Sequence, residues 1–410
     1  MKIWGRDKDW LSKKSLRIII DMAINLVGTG ISIAILNLVI YPVVAREVGA
    51  ELYGQMQSIM AMIYIVGGTL GISLCSTRLV LDFDYTEQNI KGDFNFILVC
   101  GYAVIIVLLP VVMLVYIKNL PIIDSFLVTL IGLFNCAANY YVVGLRLKIN
   151  YRAIFISKLL SCAGYLFGFL LFFIFYKWEF IFLSALLFEI VYYLLKTGIN
   201  HEPYQRTTLF PTAMQTYLSL GTASFLSKAL TYFDKLLIYP LLGGEAVTIY
   251  YVASIFGKII IKTIEPITNV IMSYLAKKKM VSKNLWKKVI IVSFFSCAIM
   301  FLVCIIITVP VIRYLYPQWF EEAVKYVPIC TLCMVVSAFI SLIRPFTLKT
   351  FEAYKQIIIN AMGVTVYCIL VFLLFKAYGI YGCCYALLTS HAIKLLMITF
   401  FCIGRINNVK

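Results

Sequence analysis

Six basic side chains interrupt the long apolar stretches in the second half of this sequence. They are Lys228, Lys235, Lys258, Lys262, Arg344 and Lys394. A charge at the centre of a lipid bilayer costs about 2.5–3.5 kcal/mol on insertion scales, so such residues are expected to face a cavity or a charged partner. A cavity with several lysines and few acids suits an anionic ligand, and lysine is a compact phosphate binder. The pattern therefore predicts a phosphorylated ligand.

The spacing of the lysines places them on shared helix faces. Lys258 and Lys262 are four residues apart, and Glu265 continues the same face three residues later. Lys228 and Lys235 are seven residues apart, which also brings them to one side of a helix. At about 1.5 Å rise per residue, several of these lysines come out near mid-depth in the membrane. The predicted binding residues, which we expect to converge on one cavity, are Lys228, Lys235, Lys258, Lys262 and Lys394.

Some of these cations have alternative roles. Arg344 lies near a helix end, so its long side chain is expected to extend to the membrane surface. Lys235 could extend in the same way or pair with the adjacent Asp234. Lys262 could form an ion pair with Glu265, three residues away on the same helix.

The remaining lysines favour the cavity interpretation. Lys228, Lys258 and Lys394 have no acid nearby in the sequence, and His391 comes out at the depth of Lys394. Glu189 is an unpaired acid in the first half, where it could carry a coupling proton or face the cleft between the two halves. The candidate coupling or pairing acids are Glu189, Asp234 and Glu265.

The composition indicates the elements that must position these residues. The chain is 62% hydrophobic and 13% charged, with a mean hydropathy of +0.94, which excludes a soluble globular protein. Because a spanning helix needs about 20 apolar residues, the sequence predicts an all-α polytopic membrane protein with twelve transmembrane helices. The predicted spans are 18–41, 54–75, 94–117, 122–145, 154–176, 180–199, 217–242, 247–275, 289–312, 323–348, 357–375 and 380–403.

The loops carry an orientation signal. Most of the 36 lysines and arginines fall in the N-terminal tail, the even-numbered loops and the C-terminus. The positive-inside rule then predicts that both termini are cytoplasmic. The net charge of +17 is mainly this topology signal, together with attraction to anionic membrane lipids, and it does not indicate a nucleic-acid partner.

A repeat divides the chain into two halves. The sequence LVIYPVVAREVGAELY at 38–53 matches LLIYPLLGGEAVTIYY at 236–251, with the Ile-Tyr-Pro tripeptides 198 positions apart. Two six-helix lobes enter the membrane in the same orientation, which predicts a pseudo-two-fold axis along the membrane normal. The predicted division is an N-terminal lobe at 1–200, a cytoplasmic linker at 201–215 and a C-terminal lobe at 216–410.

Enzymatic and metal chemistry have little support in the sequence. The 12 cysteines lie almost entirely in apolar segments, where Cys330 and Cys333 are expected to be apolar filler. Two histidines are too few for a histidine-based metal site. No glycine-rich phosphate loop, catalytic triad or paired catalytic carboxylates occur, so we expect no catalytic residues, no metal and no cofactor.

Two motifs carry a resemblance to a known family. Residues 42–54, PVVAREVGAELYG, contain a proline, an Ala-Arg pair, a glycine and a Tyr-Gly pair after the first helix. Asp234-Lys235-Leu-Leu-Ile is followed by Leu242-Gly243-Gly244 at the next helix turn. With twelve helices in two lobes, the chain resembles the bacterial polysaccharide or O-antigen flippases (Wzx-like) of the multidrug/oligosaccharidyl-lipid/polysaccharide (MOP) superfamily, whose fold is MATE-like.

The resemblance implies a function, a location and partners. The expected protein lies in the bacterial inner membrane and moves undecaprenyl-pyrophosphate-linked oligosaccharide repeat units to the periplasmic leaflet by alternating access. It implies contact with membrane lipids and with the polymerase and chain-length machinery of polysaccharide synthesis. The family is expected to use basic residues from both lobes, whereas here the first half supplies few of them at mid-membrane.

Two other functions stay open. A multidrug or cation antiporter of the same fold would need an acidic or apolar cavity with a clear coupling carboxylate. A membrane glycan polymerase would need a large outer loop or a set of catalytic acids, and the outer turn with Arg313, Trp319, Glu321 and Glu322 is short. The sequence favours the flippase over both.

Overall fold

The structure is a computed structural model that describes residues 20, 23–117, 121–276, 283–350 and 353–407. The secondary structure of these residues is helical, and no strand occurs among them. The all-α prediction is confirmed. Helices satisfy their backbone hydrogen bonds internally, which an apolar segment in lipid requires.

Ten helices are labelled here in chain order over the described residues. The first, α1, comprises Ala23–Glu87 and includes a π-helical segment at Ile35–Ile40. The others are α2 (Phe94–Tyr116), α3 (Ile122–Tyr141), α4 (Val143–Leu147), α5 (Tyr151–Phe175), α6 (Glu179–Thr197), α7 (Phe210–Ala276), α8 (Lys283–Leu315), α9 (Phe320–Thr350) and α10 (Ala353–Asn407).

Nine helical stretches within the described ranges are long and apolar enough to cross a membrane. The protein is therefore a multi-pass membrane protein. The long helices α1, α7 and α10 each contain one glycine with non-helical dihedral angles, at Gly49, Gly243 and Gly379. Each break separates two helical parts that are numbered here as one helix, and the count of twelve spans stays a prediction.

Gly49 in α1 and Gly243 in α7 break their helices in the same way. Their φ and ψ angles are 81° and 170° at Gly49 and 88° and 173° at Gly243. Glycine adopts this region without strain because it has no Cβ. The breaks are 194 positions apart, whereas the tripeptides are 198 apart. The register taken from the tripeptides is therefore wrong by four residues, about one helical turn, which nearly preserves the helix face.

The two copies of the repeat pack against each other. Thr248 Oγ1 donates to the carbonyl oxygen of Ala50 at 2.6 Å. A Cβ added at Gly54 would clash with the backbone of Gly244. A shift of 194 residues exchanges these two contacts, as a two-fold relation requires. The repeat is thus a structural pair with a local two-fold relation, and the direction of that axis in the membrane stays a prediction.

The chain forms two compact units. The N-terminal unit comprises the described parts of Met1–Leu36 and Leu70–Gly221. The C-terminal unit comprises Asn37–Thr69 and the described parts of Thr222–Lys410. The predicted lobes at 1–200 and 216–410, with a linker at 201–215, stay a prediction.

In the N-terminal unit, α6 packs against both α3 and α5. Gly164 and Gly168 of α5 allow its backbone to approach α6 closely, because added Cβ atoms there would lie 2.6 Å from the Cα atoms of Ala185 and Ile181. The side chain of Asn150 caps the start of α5 by accepting a hydrogen bond from the Ala153 backbone N–H at 3.1 Å.

The segment that follows α6 is bound to the rest of the N-terminal unit by an ion pair and hydrogen bonds. Glu202 forms an ion pair with Arg78, whose Nη1 donates to Glu202 Oε2 at 2.7 Å and to Tyr140 Oη at 3.0 Å. Asn95 Nδ2 donates to the carbonyl oxygen of Glu202 at 2.9 Å. Asp93 accepts a hydrogen bond from the Thr207 backbone N–H at 2.7 Å. Part of the predicted linker is therefore docked on the N-terminal unit.

In the C-terminal unit, α9 packs against both α8 and α10. The three helices meet in a small hydrophobic core of Trp286, Ile343, Phe346, Ile359 and Ile398. This core fixes the distance between α9 and α10. A polar cavity, described below, lies beside it.

Candidate functional site

A buried ion pair lies on α7. Lys258 Nζ is 2.8 Å from Asp234 Oδ2, and Tyr250 Oη donates to the same oxygen at 2.8 Å. Asp234 is 3% exposed, whereas the Lys258 side chain is 19% exposed. The Lys258 ammonium also lies 4.8 Å from the centre of the Tyr250 ring. The carboxylate is therefore held by an ammonium and a hydroxyl.

Lys235 has different partners from those of Lys258. Its Nζ donates to Gln57 Oε1 at 2.7 Å and lies 4.4 Å from the centre of the Tyr251 ring, a cation–π contact. Tyr251 is oriented by donation of its hydroxyl to Asn37 Oδ1 at 2.7 Å. Lys235 is 7% exposed and Gln57 is 1% exposed. The Lys235 ammonium is therefore buried against the side-chain amide of Gln57 and the ring face of Tyr251.

These contacts correct two predictions. Lys258 has an acid partner, although none lies near it in the sequence, because the break at Gly243 folds the second part of α7 back onto the first. Lys235 neither pairs with Asp234 through its ammonium nor extends to the surface. Side chains that are adjacent in a helix point in different directions, so only the Lys235 backbone N–H reaches the carboxylate of Asp234 at 2.8 Å.

A polar cavity of about 90 Å³ lies among α7, α9 and α10. Its basic residues are Arg344, His391 and Lys394, and the residues that line it include no aspartate or glutamate. The other lining residues are Ser227, Thr231, Ser337, Ile340, Ser341, Thr347, Ile359, Asn360 and Ile398. The cavity can donate hydrogen bonds to an anion from cations, hydroxyls and an amide.

The two parts of α10 position the basic residues. Ser390 Oγ donates to the carbonyl oxygen of Gly363 at 2.7 Å, across the break at Gly379. A Cβ at Gly363 would lie 2.7 Å from Lys394 Cδ, so glycine there leaves room for the lysine stem. His391 is 5% exposed and Lys394 is 7% exposed. Both side chains are fixed inside the unit.

The predicted lysines therefore separate into groups. Lys235 and Lys258 lie around Asp234, whereas Lys394 lies in the cavity. Lys228 is partly buried and Lys262 is exposed, and neither is among the lining residues. The structure does not bring all five lysines to one cavity. Arg344, which we expected to extend to the membrane surface, lines the cavity with Lys394 although it is exposed.

The predicted acids have separate outcomes. Glu189 is not unpaired, since its Oε1 lies 2.5 Å from Lys158 Nζ and accepts from Tyr193 Oη at 2.6 Å. Ser157 Oγ lies 3.0 Å from the same hydroxyl. The side chain of Glu265 lies outside the described residues. The expected pair of this acid with Lys262 therefore stays a prediction.

Sequence reasoning missed several polar residues of these sites. Lys158 falls within the predicted span 154–176, so its charge alone could have indicated an acidic partner such as Glu189. Gln57, Asn360 and the lining hydroxyls carry no charge. Their types and spacing gave no signal, because only the packing of distant segments places them beside a lysine.

Two buried cysteines lie close together in the C-terminal unit. Cys330 Sγ and Cys384 Sγ lie 3.7 Å apart, and both side chains are buried and unoxidised. Over the described ranges, no group of three or more His, Cys, Asp or Glu side chains could hold a metal ion.

Comparisons with known proteins identify the fold. No protein-family model matches the sequence, and no curated protein matches it either. The structure is similar to lipid II flippase MurJ in an inward closed conformation, with a TM-score of 0.70, 15% identity and coverage of 94% of this chain and 86% of that one.

Two further solved structures are similar. The MATE transporter VcmN from Vibrio cholerae, in its bent form, matches with a TM-score of 0.56, 14% identity and coverage of 96% of this chain and 98% of that one. A MOP superfamily transporter from Pyrococcus furiosus, described by the reverse polarity of its binding pocket, matches with a TM-score of 0.59, 13% identity and coverage of 95% of both chains.

These similarities establish the class of fold. The chain shares a fold with MurJ and with the MATE proteins along almost the whole of its length. The predicted MATE-like architecture is confirmed. At 13–15% identity the comparisons concern the fold, so the activity is argued from the site.

Proposed function

We propose that this protein is a flippase for a lipid-linked glycan whose headgroup carries phosphate. One observation carries the proposal, namely the excess of basic groups inside the C-terminal unit. Lys235 and Lys394 are buried there, Lys258 is partly buried beside Asp234, and Arg344 lines the cavity with Lys394. Asp234 is the one buried carboxylate that this unit has over its described residues. Such an interior attracts anions.

The fold supports this class of function. MurJ, a flippase of lipid II, has the same fold at a TM-score of 0.70. An anionic headgroup crossing the membrane needs compensating positive charge along its path, because an isolated charge is costly in lipid. A transporter with a basic interior supplies that compensation.

The finer assignment follows from the resemblance in the sequence. We propose that the substrate is an undecaprenyl-pyrophosphate-linked repeat unit of O-antigen or a similar surface polysaccharide. The protein would lie in the bacterial inner membrane with both termini cytoplasmic, and alternating access of its lobes would expose the headgroup to each leaflet. The polymerase and chain-length proteins are the proposed partners. The candidate headgroup residues remain Lys228, Lys235, Lys258, Lys262 and Lys394.

The antiporter alternative is less well supported by the site. A transported or coupling cation needs an available carboxylate, and Asp234 is already bound by the Lys258 ammonium and the Tyr250 hydroxyl. Glu189 is similarly bound by Lys158. A cation would have to displace a tethered ammonium at either position.

The test is to delete the gene in the organism that carries it and determine in which leaflet single lipid-linked repeat units accumulate. We expect accumulation that faces the cytoplasm, with loss of surface polysaccharide, and restoration of both by the wild-type gene. Unpolymerised units that face the periplasm would instead make the protein a polymerase. Sensitivity to cationic drugs without accumulated lipid-linked units would establish the antiporter.

A further inference from the structure

We propose that the cavity among α7, α9 and α10 binds one phosphate group, with Lys394, Arg344 and His391 as its basic ligands. This inference deepens the proposed function by assigning the phosphate of the headgroup to a particular place, and its biological meaning rests on that function. It separates Lys394 from Lys235 and Lys258, which already have partners around Asp234.

The first argument is uncompensated charge. Over the described part of the chain, no carboxylate forms an ion pair with Lys394 or Arg344, and no acidic side chain lines the cavity. Lys394 is 7% exposed, so water reaches it poorly. A buried charge without a partner is strongly unfavourable. An anion in the cavity would compensate both cations at once.

The second argument is an unsatisfied polar atom. His391 is 5% exposed and its Nδ1 has no hydrogen-bond partner among the described residues. Buried polar atoms in folded proteins are nearly always hydrogen-bonded, so an orphaned one indicates a missing partner. With a proton on this nitrogen, His391 would donate to a phosphate oxygen, as Lys394 and the Asn360 amide can.

The third argument is size. The cavity volume of about 90 Å³ is several times the roughly 10–15 Å³ that one water molecule needs, so an anion of the size of phosphate can enter. The sugar and the lipid chain of the ligand would lie outside the cavity, on the side where Arg344 is exposed.

The chemistry fits phosphate from more than one source. A phosphate group offers oxygens that accept from lysine, arginine and hydroxyl donors in short, charge-assisted hydrogen bonds. Inorganic phosphate, the phosphate of a polyprenyl carrier and that of a membrane phospholipid share this group. The experiment must therefore distinguish them.

Binding of inorganic phosphate to the purified full-length protein in detergent, measured by titration calorimetry, tests the site. We expect saturable binding by the wild type and binding weakened about tenfold or more in Lys394→Met, which keeps the apolar stem beside Gly363 but removes one charge-assisted donor. The matched control is Lys376→Met, a change of the same charge at an exposed position of the same helix, which should bind as the wild type does. If Lys394→Met does not fold, Arg344→Gln is measured in its place with the same expectation.

Competition then identifies the source of the phosphate. Polyprenyl phosphate in mixed micelles should displace inorganic phosphate, whereas micelles with phosphatidic acid at the same phosphate concentration should not. Equal displacement by both lipids would assign the site to phospholipid headgroups rather than to the carrier. Pyrophosphate should bind no more tightly than phosphate, and clearly tighter binding would overturn the single-phosphate assignment.

Failure of this inference differs from failure of the proposed function. Absent phosphate binding by folded wild type, or equal binding by the wild type, Lys394→Met and Lys376→Met, would overturn the cavity assignment even if deletion strains accumulate lipid-linked units. Specific phosphate binding in a protein whose deletion leaves surface glycan intact would retain the site and reject the flippase.

Discussion

Lys258 Nζ lies 2.8 Å from Asp234 Oδ2, so the carboxylate next to Lys235 in the sequence is neutralised by a lysine from the other side of the Gly243 break. The pairing divides the intramembrane cations into those with partners and those without. Lys258 and Lys235 are satisfied by Asp234, Gln57 and aromatic rings. The cations of the cavity have no such partner over the described residues, which is why the phosphate is assigned there.

Breaking the Asp234–Lys258 pair from either side should destabilise the protein. Asp234→Asn leaves the Lys258 ammonium without its carboxylate, and Lys258→Met leaves the buried carboxylate without its ammonium. Removal of one partner of a buried pair costs about 3–5 kcal/mol, and the partial exposure of Lys258 places the expected loss near the lower value. Thermal unfolding of the purified variants measures this loss.

The double variant Asp234→Asn/Lys258→Met should be more stable than either single variant, because no unpaired charge remains in the pair. We expect no transport by this variant, because Lys258 is a candidate headgroup residue, and restored transport would remove Lys258 from that set. Additive losses of stability would show that the pair is not energetically coupled. A stable double variant without transport would make Lys258 a headgroup ligand.

The Glu189–Lys158 pair is expected to be structural. Glu189→Gln retains an acceptor for the Tyr193 hydroxyl but removes the charge that compensates Lys158. We expect a loss of about 1–3 kcal/mol in stability, with transport per molecule unchanged when the amount of protein in the membrane is counted. Lys158→Met should give a similar loss, and Glu189→Gln/Lys158→Met should recover part of it. If Glu189→Gln is as stable as the wild type and inactive, the carboxylate is a coupling group instead.

Substitution of the glycines at the helix breaks by alanine should destabilise the protein. Gly49 and Gly243 have a backbone conformation that is almost restricted to glycine. Each Gly→Ala substitution should therefore lower the free energy of unfolding by about 1–3 kcal/mol. Gly30→Ala is the matched control in α1, where φ is helical and a Cβ meets no atom within 4 Å. Thermal stability of the three variants, measured in parallel, gives the comparison. Equal stabilities would mean that the breaks relax into ordinary helix.

The orientation of the chain can be determined by labelling. Single cysteines at exposed Lys376 and Lys148 lie on opposite sides of the membrane in the predicted topology. In intact cells or spheroplasts, a membrane-impermeant maleimide should modify Lys376→Cys but not Lys148→Cys, in a background without the native cysteines. Permeabilisation should make both reactive. The reverse pattern would place both termini outside.

Much of the fold could be predicted from the sequence because lipid imposes a simple rule. Apolar stretches must be helical, and their lengths and loop charges indicate spans and orientation. The repeat was visible from the two Ile-Tyr-Pro tripeptides, but the alignment of the two copies on these tripeptides was wrong by four residues. The tripeptides show which helices correspond, whereas the positive φ angles of Gly49 and Gly243 show which residues correspond.

The sequence by itself determined that charged groups had to be compensated inside an apolar bundle, and it named Lys235, Lys258 and Lys394 among them. Only the tertiary structure decided which groups compensate which. Helix breaks and packing bring Asp234 to Lys258 and Gln57 to Lys235, and they bring Arg344 and His391 to Lys394. A charged residue in an apolar segment indicates by itself that it needs a partner, but the partner comes from a distant segment. Neutral polar side chains give no such indication, because only folding places them beside a charge.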